Sequence, residues 1–167
     1  PRGISAEDWG RKVHEVFALR DFSVKFDNDK KLLYRLDQYE EKIRIELEKA
    51  LENFSKLAVY SILKDAAEQR KKIFSERALN GLLTSITPPI LVQGRPDLLF
   101  NSTNEDWILV DYKAEEEPDV GSYRDRIHNR QIDAYAWLIE KTLGLKVEKA
   151  YLAYVHPYSC LLYTSDA

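Results

Sequence analysis

Val92-Gln93-Gly94-Arg95-Pro96-Asp97-Leu98-Leu99-Phe100 and Trp107-Ile108-Leu109-Val110-Asp111-Tyr112-Lys113 are two strand-like segments. The polar stretch Asn101-Ser102-Thr103-Asn104-Glu105-Asp106 separates them. Apolar, β-branched runs around a turn-forming segment read as a β-hairpin, with arms over about residues 90–100 and 107–114. Charge is carried inward along it. An unpaired buried charge costs several kcal/mol, so Asp97, Asp111 and Lys113 call for partners. Side chains at i and i+2 of a strand share one face, roughly 6.6 Å apart. Asp111 and Lys113 therefore point together, Tyr112 points away, and Asp97 reaches the same patch across the hairpin.

Two carboxylates about 4 Å apart repel by roughly 4 kcal/mol at an effective dielectric near 20. Either one takes a proton or a cation sits between them. Mg²⁺ suits such a site because it takes hard oxygen ligands, keeps several waters and is completed by substrate phosphate. For Asp111 and Lys113 alone, a structural ion pair at a strand end competes with that interpretation. The tripeptide is not distinctive by itself: Asp29-Lys30-Lys31 and Glu40-Glu41-Lys42 satisfy the same pattern. Those two sit in charged, helix-forming sequence, whereas Asp111-Tyr112-Lys113 ends an apolar strand.

Outward from the hairpin, the pattern is helical on both sides. Ser5-Ala6-Glu7-Asp8 has capping-box form, opening a helix to about Arg20 with Trp9, Val13, Val16 and Phe17 on one face. From Lys30 to about Lys72 there is no Pro or Gly, and Leu33, Leu36, Ile43, Leu47, Leu51 and Phe54 form a stripe. One long or two consecutive helices are expected there, broken at Asn53-Phe54-Ser55. Ile73 to Ala78 reads as a first strand, and Pro88-Pro89 stops whatever precedes the hairpin. Ser122-Tyr123-Arg124-Asp125 caps a helix ending near Gly144, and Val147 to Val155 is a last strand. The fold class is α/β (α+β), a sheet flanked by helices.

The 167 residues, 44% hydrophobic and 32% charged, suit one globular domain. A net charge of −3 excludes a generally basic nucleic-acid coat but leaves room for a local basic strip. No signal peptide or membrane-length apolar run is visible, so the expected location is cytoplasmic. A single cysteine, Cys160, excludes an internal disulfide and any multi-cysteine metal site. With no Met in the chain, it is expected to be a piece of a longer reading frame. The end, Cys160-Leu161-Leu162-Tyr163-Thr164-Ser165-Asp166-Ala167, looks like translated sequencing adapter. Residues 159–167 are expected to be a non-native tail on a domain of residues 1–158.

Three further features bear on the site. His14 lies at helical positions that can face the sheet. Gln131 and Tyr135 are four apart, hence on one helix face. Arg124, Arg126, His128 and Arg130 crowd the start of that helix, where cations suit a phosphate backbone.

Gly94-Arg95-Pro96-Asp97, Val110-Asp111-Tyr112-Lys113 and Gln131-x-x-x-Tyr135, with helical His14 upstream, resemble the PD-(D/E)XK nucleases. The RecB/AddA-type branch is the most similar, over about Gly10 to Val155. The resemblance implies a restriction-endonuclease-like core, with a mixed central sheet flanked by helices and a helical N-terminal segment. It implies that Asp97, Asp111, the Tyr112 carbonyl and His14 hold Mg²⁺ or Mn²⁺. Lys113 would orient or deprotonate the attacking water, and Gln131 and Tyr135 would brace the site or touch DNA. An acidic residue ahead of the hairpin is loosely matched by Glu76 as an accessory group. Arg124, Arg126 and Arg130 would contact DNA. Relatives with a four-cysteine iron–sulfur cluster are excluded by the cysteine count. The implied partners are DNA, a helicase domain in the same full-length chain and a second helicase–nuclease subunit. The implied work is DNA end processing and recombinational repair, by exo- or endonuclease action. The alternatives are a catalytically silent module that binds DNA or a protein, and a stand-alone restriction or repair endonuclease.

Overall fold

The computed structural model describes residues 4–156 and the backbone of 162–165. Helix α1, Ala6–Leu19, starts where Ser5 Oγ accepts the Asp8 backbone N–H at 3.1 Å, and it buries the expected Trp9, Val13, Val16 and Phe17. Asp29 caps α2, Lys30–Leu36, by accepting the Leu32 N–H, and its second oxygen holds the buried Arg20 guanidinium at 3.0 Å. The helical stretch that follows is divided further than its composition predicts. It comprises α2, α3 (Glu41–Ser55) and α4 (Ala58–Glu68), with breaks after Leu36 as well as after Ser55. No Gly or Pro makes these breaks. Tertiary burial does: Leu36 and Leu57 are both buried, and Leu57 is extended (φ −76°, ψ 146°), which turns α4 against the sheet. The restarts also shift the helical phase, so Leu32 rather than Leu33 is buried.

The central sheet contains β1 (Ile73–Ser75), β4 (Leu98–Asn101), β5 (Trp107–Lys113), β6 (Val147–Tyr154) and β7 (Leu162–Ser165), hydrogen-bonded in that order. It is mixed: β5 and β6 run parallel and the other neighbours antiparallel. Of the expected tail, residues 162–165 form the β7 backbone pairing with β6, and residues 159–161 and 166–167 lie outside the described residues. Alternation along the strands gives the sheet two cores. Leu98, Phe100, Ile108, Val110 and Tyr112 face α1–α4. Leu99, Leu109 and Leu152 face α5, Tyr123–Leu143, together with its Ile132 and Leu138. The α5 cap forms as expected, with Ser122 Oγ accepting the Asp125 N–H at 3.2 Å and Gly144 closing the helix at φ 65°. Among the described residues, no helix is long and apolar enough to cross a membrane.

The hairpin differs from its sequence expectation in one arm. Residues 90–100 are not one strand: β3, Ile90–Gly94, pairs with β2, Leu79–Leu83, in a separate two-stranded sheet. Only β4 pairs with β5, in the register Leu98↔Val110. Pro96 lacks an N–H for a ladder, and the chain changes sheets at Arg95-Pro96-Asp97. The β2–β3 hairpin lies on α5. A Cβ on Gly81 would come within 2.8 Å of Leu138 Cδ1, and one on Gly94 within 2.9 Å of Tyr135 Cε1. These glycines allow the close approach.

Candidate active site

Asp111 sits near the end of β5 on the α5 side of the sheet and is 2% exposed. Lys113 shares its face, as i and i+2 require, and Nζ lies 2.7 Å from Asp111 Oδ2. The same ammonium donates to Gln131 Oε1, and Gln131 Nε2 donates to the Tyr135 hydroxyl at 3.1 Å. The strand end and the helix face are thus joined in one line: Asp111, Lys113, Gln131, Tyr135. Burial raises the Tyr135 phenol above its ordinary range, against the opposing hydrogen bond from Gln131, so it stays protonated as an acceptor and donor.

Asp97 follows Pro96 and stands one step beyond the first β4–β5 pair. Its Oδ2 accepts the Tyr112 backbone N–H at 2.7 Å, which ties it to the Asp111-Tyr112-Lys113 segment. Its Oδ1 lies 2.9 Å from His14 Nδ1. His14 is thus on the sheet-facing side of α1, and its ring also meets Tyr112 edge-on at 6.4 Å. Glu76 Oε1 is 3.6 Å from the same imidazole nitrogen. Glu76 arrives there through an uncommon backbone state. It follows β1 at φ 51°, left-handed for a non-glycine residue, and is held by its N–H donating to the Asp97 carbonyl at 2.9 Å.

The electrostatics are those of crowded acids. Burial pushes the Asp97 carboxyl up to about 7; His14 opposes this and Asp111 reinforces it. Burial alone would depress the His14 imidazole, but the Asp97 and Glu76 carboxylates outweigh it and hold the ring protonated, up to about 10. Donor atoms of His14, Glu76 and Asp97 lie within 4.8 Å of one another. Asp111 Oδ2 is buried and accepts no aligned hydrogen bond, its contact with Lys113 notwithstanding. A mostly oxygen donor set with an unfilled buried acceptor fits a hard divalent cation.

The cationic start of α5 divides into two parts. Arg124, Arg126 and Arg130 are exposed. His128 is not part of that strip: it is buried, with Nε2 2.9 Å from Glu115 and Nδ1 2.8 Å from the Tyr154 hydroxyl. Burial first, then the charge of Lys113, lower its pKa, so it is a neutral internal residue. Arg124 pairs with the other Glu115 oxygen at 2.8 Å. A feature without a sequence signal is an open groove of about 680 Å³ beside the acids, lined by Arg11, His14, Arg35, Glu76 and Arg95. It draws cations from three distant segments. The more enclosed cavity, about 320 Å³ among Phe22, Phe26, Phe54 and Tyr60, contains none of these residues.

An ATP-dependent helicase/nuclease subunit from two strains of Clostridium kluyveri is 41% identical over 63 residues, 38% of this chain. That stretch is 5% of the length of those relatives. The crystal structure of SSO0001 is similar over 96% of this chain and 76% of its own, at 18% identity and a TM-score of 0.48. The family model described as PD-(D/E)XK nuclease superfamily matches residues 1–163. Nearly the whole sequence, including Asp111, Lys113, Gln131 and Tyr135, falls within that match, and the chain belongs to the PD-(D/E)XK nuclease superfamily.

Proposed function

We propose that this chain is the nuclease domain of a RecB/AddA-like helicase–nuclease, hydrolysing DNA phosphodiester bonds with Mg²⁺ or Mn²⁺ in cytoplasmic end processing and recombinational repair. The observation that supports this best is the continuous line of Asp111, Lys113, Gln131 and Tyr135 beside the His14–Glu76–Asp97 cluster. The partial likeness to helicase/nuclease proteins supports a helicase domain in the same full-length chain and, as partner, a second helicase–nuclease subunit. The proposed domain is residues 1–158, with residues 159–167 as a non-native tail.

His14, Asp97, Asp111 and the Tyr112 carbonyl would hold the ion, with Glu76 as accessory. When bound, the ion supplies Lewis acidity and a water of lowered pKa. Lys113 has its ammonium restrained by Asp111 and Gln131, so it orients the attacking water and offsets charge developing on the scissile phosphate. Gln131 fixes the ammonium, and Tyr135 fixes Gln131. Arg124, Arg126 and Arg130 on one side, and Arg95 in the groove on the other, would hold flanking phosphates.

The test is incubation of the purified protein with linear single- and double-stranded DNA in Mg²⁺, Mn²⁺ or EDTA. Cutting is expected only with a divalent ion, and both Asp111→Ala and Lys113→Ala should abolish it. Metal-dependent cutting that survives either substitution would sink the assignment.

A further inference from the structure

Helix α5 changes character along its length. Its later part is anchored by buried Ile132, Leu138 and Ile139, but the inward positions of its opening turns, Asp125 and His128, are polar. Asp125 is satisfied locally, accepting the Gly121 N–H at 2.7 Å and Asn129 Nδ2 at 3.0 Å. His128 instead reaches the sheet at both ring nitrogens. Its Nε2 lies 2.9 Å from Glu115 Oε1, just beyond the end of β5, and its Nδ1 lies 2.8 Å from the hydroxyl of Tyr154, the last residue of β6. A carboxylate only accepts, so Nε2 carries the ring hydrogen. Burial raises the Tyr154 phenol above its ordinary range, so its O–H is present to donate to Nδ1. The other Glu115 oxygen is taken by Arg124 at 2.8 Å, which leaves Oε1 to His128.

These attachments lie at the level of the lysine. Tyr154 is the register partner of Lys113 across β5 and β6, and it belongs to the core on the α5 side, the side on which Lys113 meets Gln131. His128 precedes Gln131 by three residues, which places it about 4.5 Å away along the axis and roughly 60° around the helix. Apolar burial is non-directional and tolerates sliding, whereas a hydrogen bond weakens steeply with distance and angle. The polar attachment therefore sets the rotation and height at which this part of α5 meets the strand ends. We infer that His128, clasped between Glu115 and Tyr154, is a positioning residue that fixes α5 so that Gln131 Oε1 meets the Lys113 ammonium. Buried as it is, His128 touches no DNA and acts only through Gln131 and Lys113. This rests on the nuclease reading above and adds to it a group outside the acid–lysine line.

The experiment pairs steady-state DNA cleavage in Mg²⁺ with ¹H–¹⁵N spectra of the protein in EDTA, where the Gln131 side-chain amide is read directly. Tyr154→Phe removes the hydroxyl from Nδ1, and Glu115→Ala removes the acceptor from Nε2. Each should lower kcat by about 10- to 100-fold, the effect of a displacement of about 1 Å, and each should shift the Gln131 amide resonance. KM should be unchanged in Tyr154→Phe. Glu115→Gln loses the same ion pair with Arg124 as Glu115→Ala but keeps a carbonyl acceptor for Nε2–H, so it should restore both kcat and the resonance. Ile139→Val loosens the apolar part of the same helix; it should lower Tm and leave kcat unchanged well below the melt. The inference is overturned if Tyr154→Phe or Glu115→Ala leaves kcat or the Gln131 resonance as in wild type. It is equally overturned if Glu115→Gln loses as much kcat as Glu115→Ala, or Ile139→Val as much as Tyr154→Phe. Absence of cutting by wild type would instead sink the nuclease reading, and the Gln131 resonance would then decide the positioning by itself.

Discussion

Replacing Gly94 by alanine probes the contact that joins the Gly94-Arg95-Pro96-Asp97 run to the helix bearing Gln131 and Tyr135. The added methyl would stand 2.9 Å from Tyr135 Cε1 and 3.0 Å from Leu138 Cδ2. Ordinary carbon contacts are about 3.5–4.0 Å, so the ring must retreat by roughly 0.6 Å. Gln131 Nε2 and the Tyr135 hydroxyl are 3.1 Å apart. A retreat of that size stretches the bond to about 3.7 Å, past useful reach. Overpacking of this kind costs about 1–3 kcal/mol. Loss of glycine's freedom in the unfolded chain returns about 0.4–1 kcal/mol. The net expectation is destabilisation by about 1–2 kcal/mol.

Because the closest clash is with one ring, the effect should depend on that ring. Urea denaturation of wild type, Gly94→Ala, Tyr135→Ala and the double variant gives the coupling energy. It should be about 1 kcal/mol, since removing the ring relieves the nearest contact and leaves only Leu138. In DNA cleavage, Gly94→Ala should lower kcat by roughly 10- to 100-fold through misplacement of Gln131 and Lys113. KM should change little. Additive stability effects, with kcat unchanged, would show that β3 does not press on Tyr135 and would refute the reasoning.

Asp111→Asn should abolish the rise in Tm on adding Mg²⁺. A wild-type-sized Mg²⁺ response in that variant would exclude Asp111 as a ligand. The protonation of His14 and Asp97 predicts a pH trend. Both groups have folded pKa values above their unfolded ones, so the stability they contribute is complete at low pH. It is lost as pH rises, through about 7 for Asp97 and about 10 for His14. Metal-free Tm should therefore fall from pH 6 to pH 9, while Mn²⁺ affinity rises as these protons become easier to displace. Calorimetry in buffers of different ionisation enthalpy would detect the released protons, and equal apparent enthalpies would count against the scheme. Ending the chain after Tyr158 should leave Tm and cleavage unchanged; a clear loss of stability would make the β7 edge strand part of the domain.

The elements legible in the sequence are those that depend on near neighbours in the chain. Ser5 and Ser122 cap their helices, Gly144 ends α5, and the apolar face of α1 follows from spacing alone. The β4–β5 turn and the inward pairing of Asp111 with Lys113 likewise need only strand alternation. Gln131 and Tyr135 share a face because they are one helical turn apart. These features are set by sterics and hydrogen bonding over a few residues, so a linear pattern contains them.

What the tertiary structure decided involves residues far apart. Pro96 divides the expected strand, but only the packing of β2–β3 on α5 shows where its first half goes. Glu76 joins His14 and Asp97 through a left-handed backbone that no side-chain pattern announces, fixed by a hydrogen bond to a residue 21 positions on. His128 looks like one cation among arginines in the sequence, yet Glu115 and Tyr154 make it a neutral buried residue. The Arg11, Arg35 and Arg95 groove is assembled from three segments. From the sequence alone come the chemical groups and their local direction. Which of them share one desolvated space, and with what protonation, depends on contacts formed only when the helices close on the sheet.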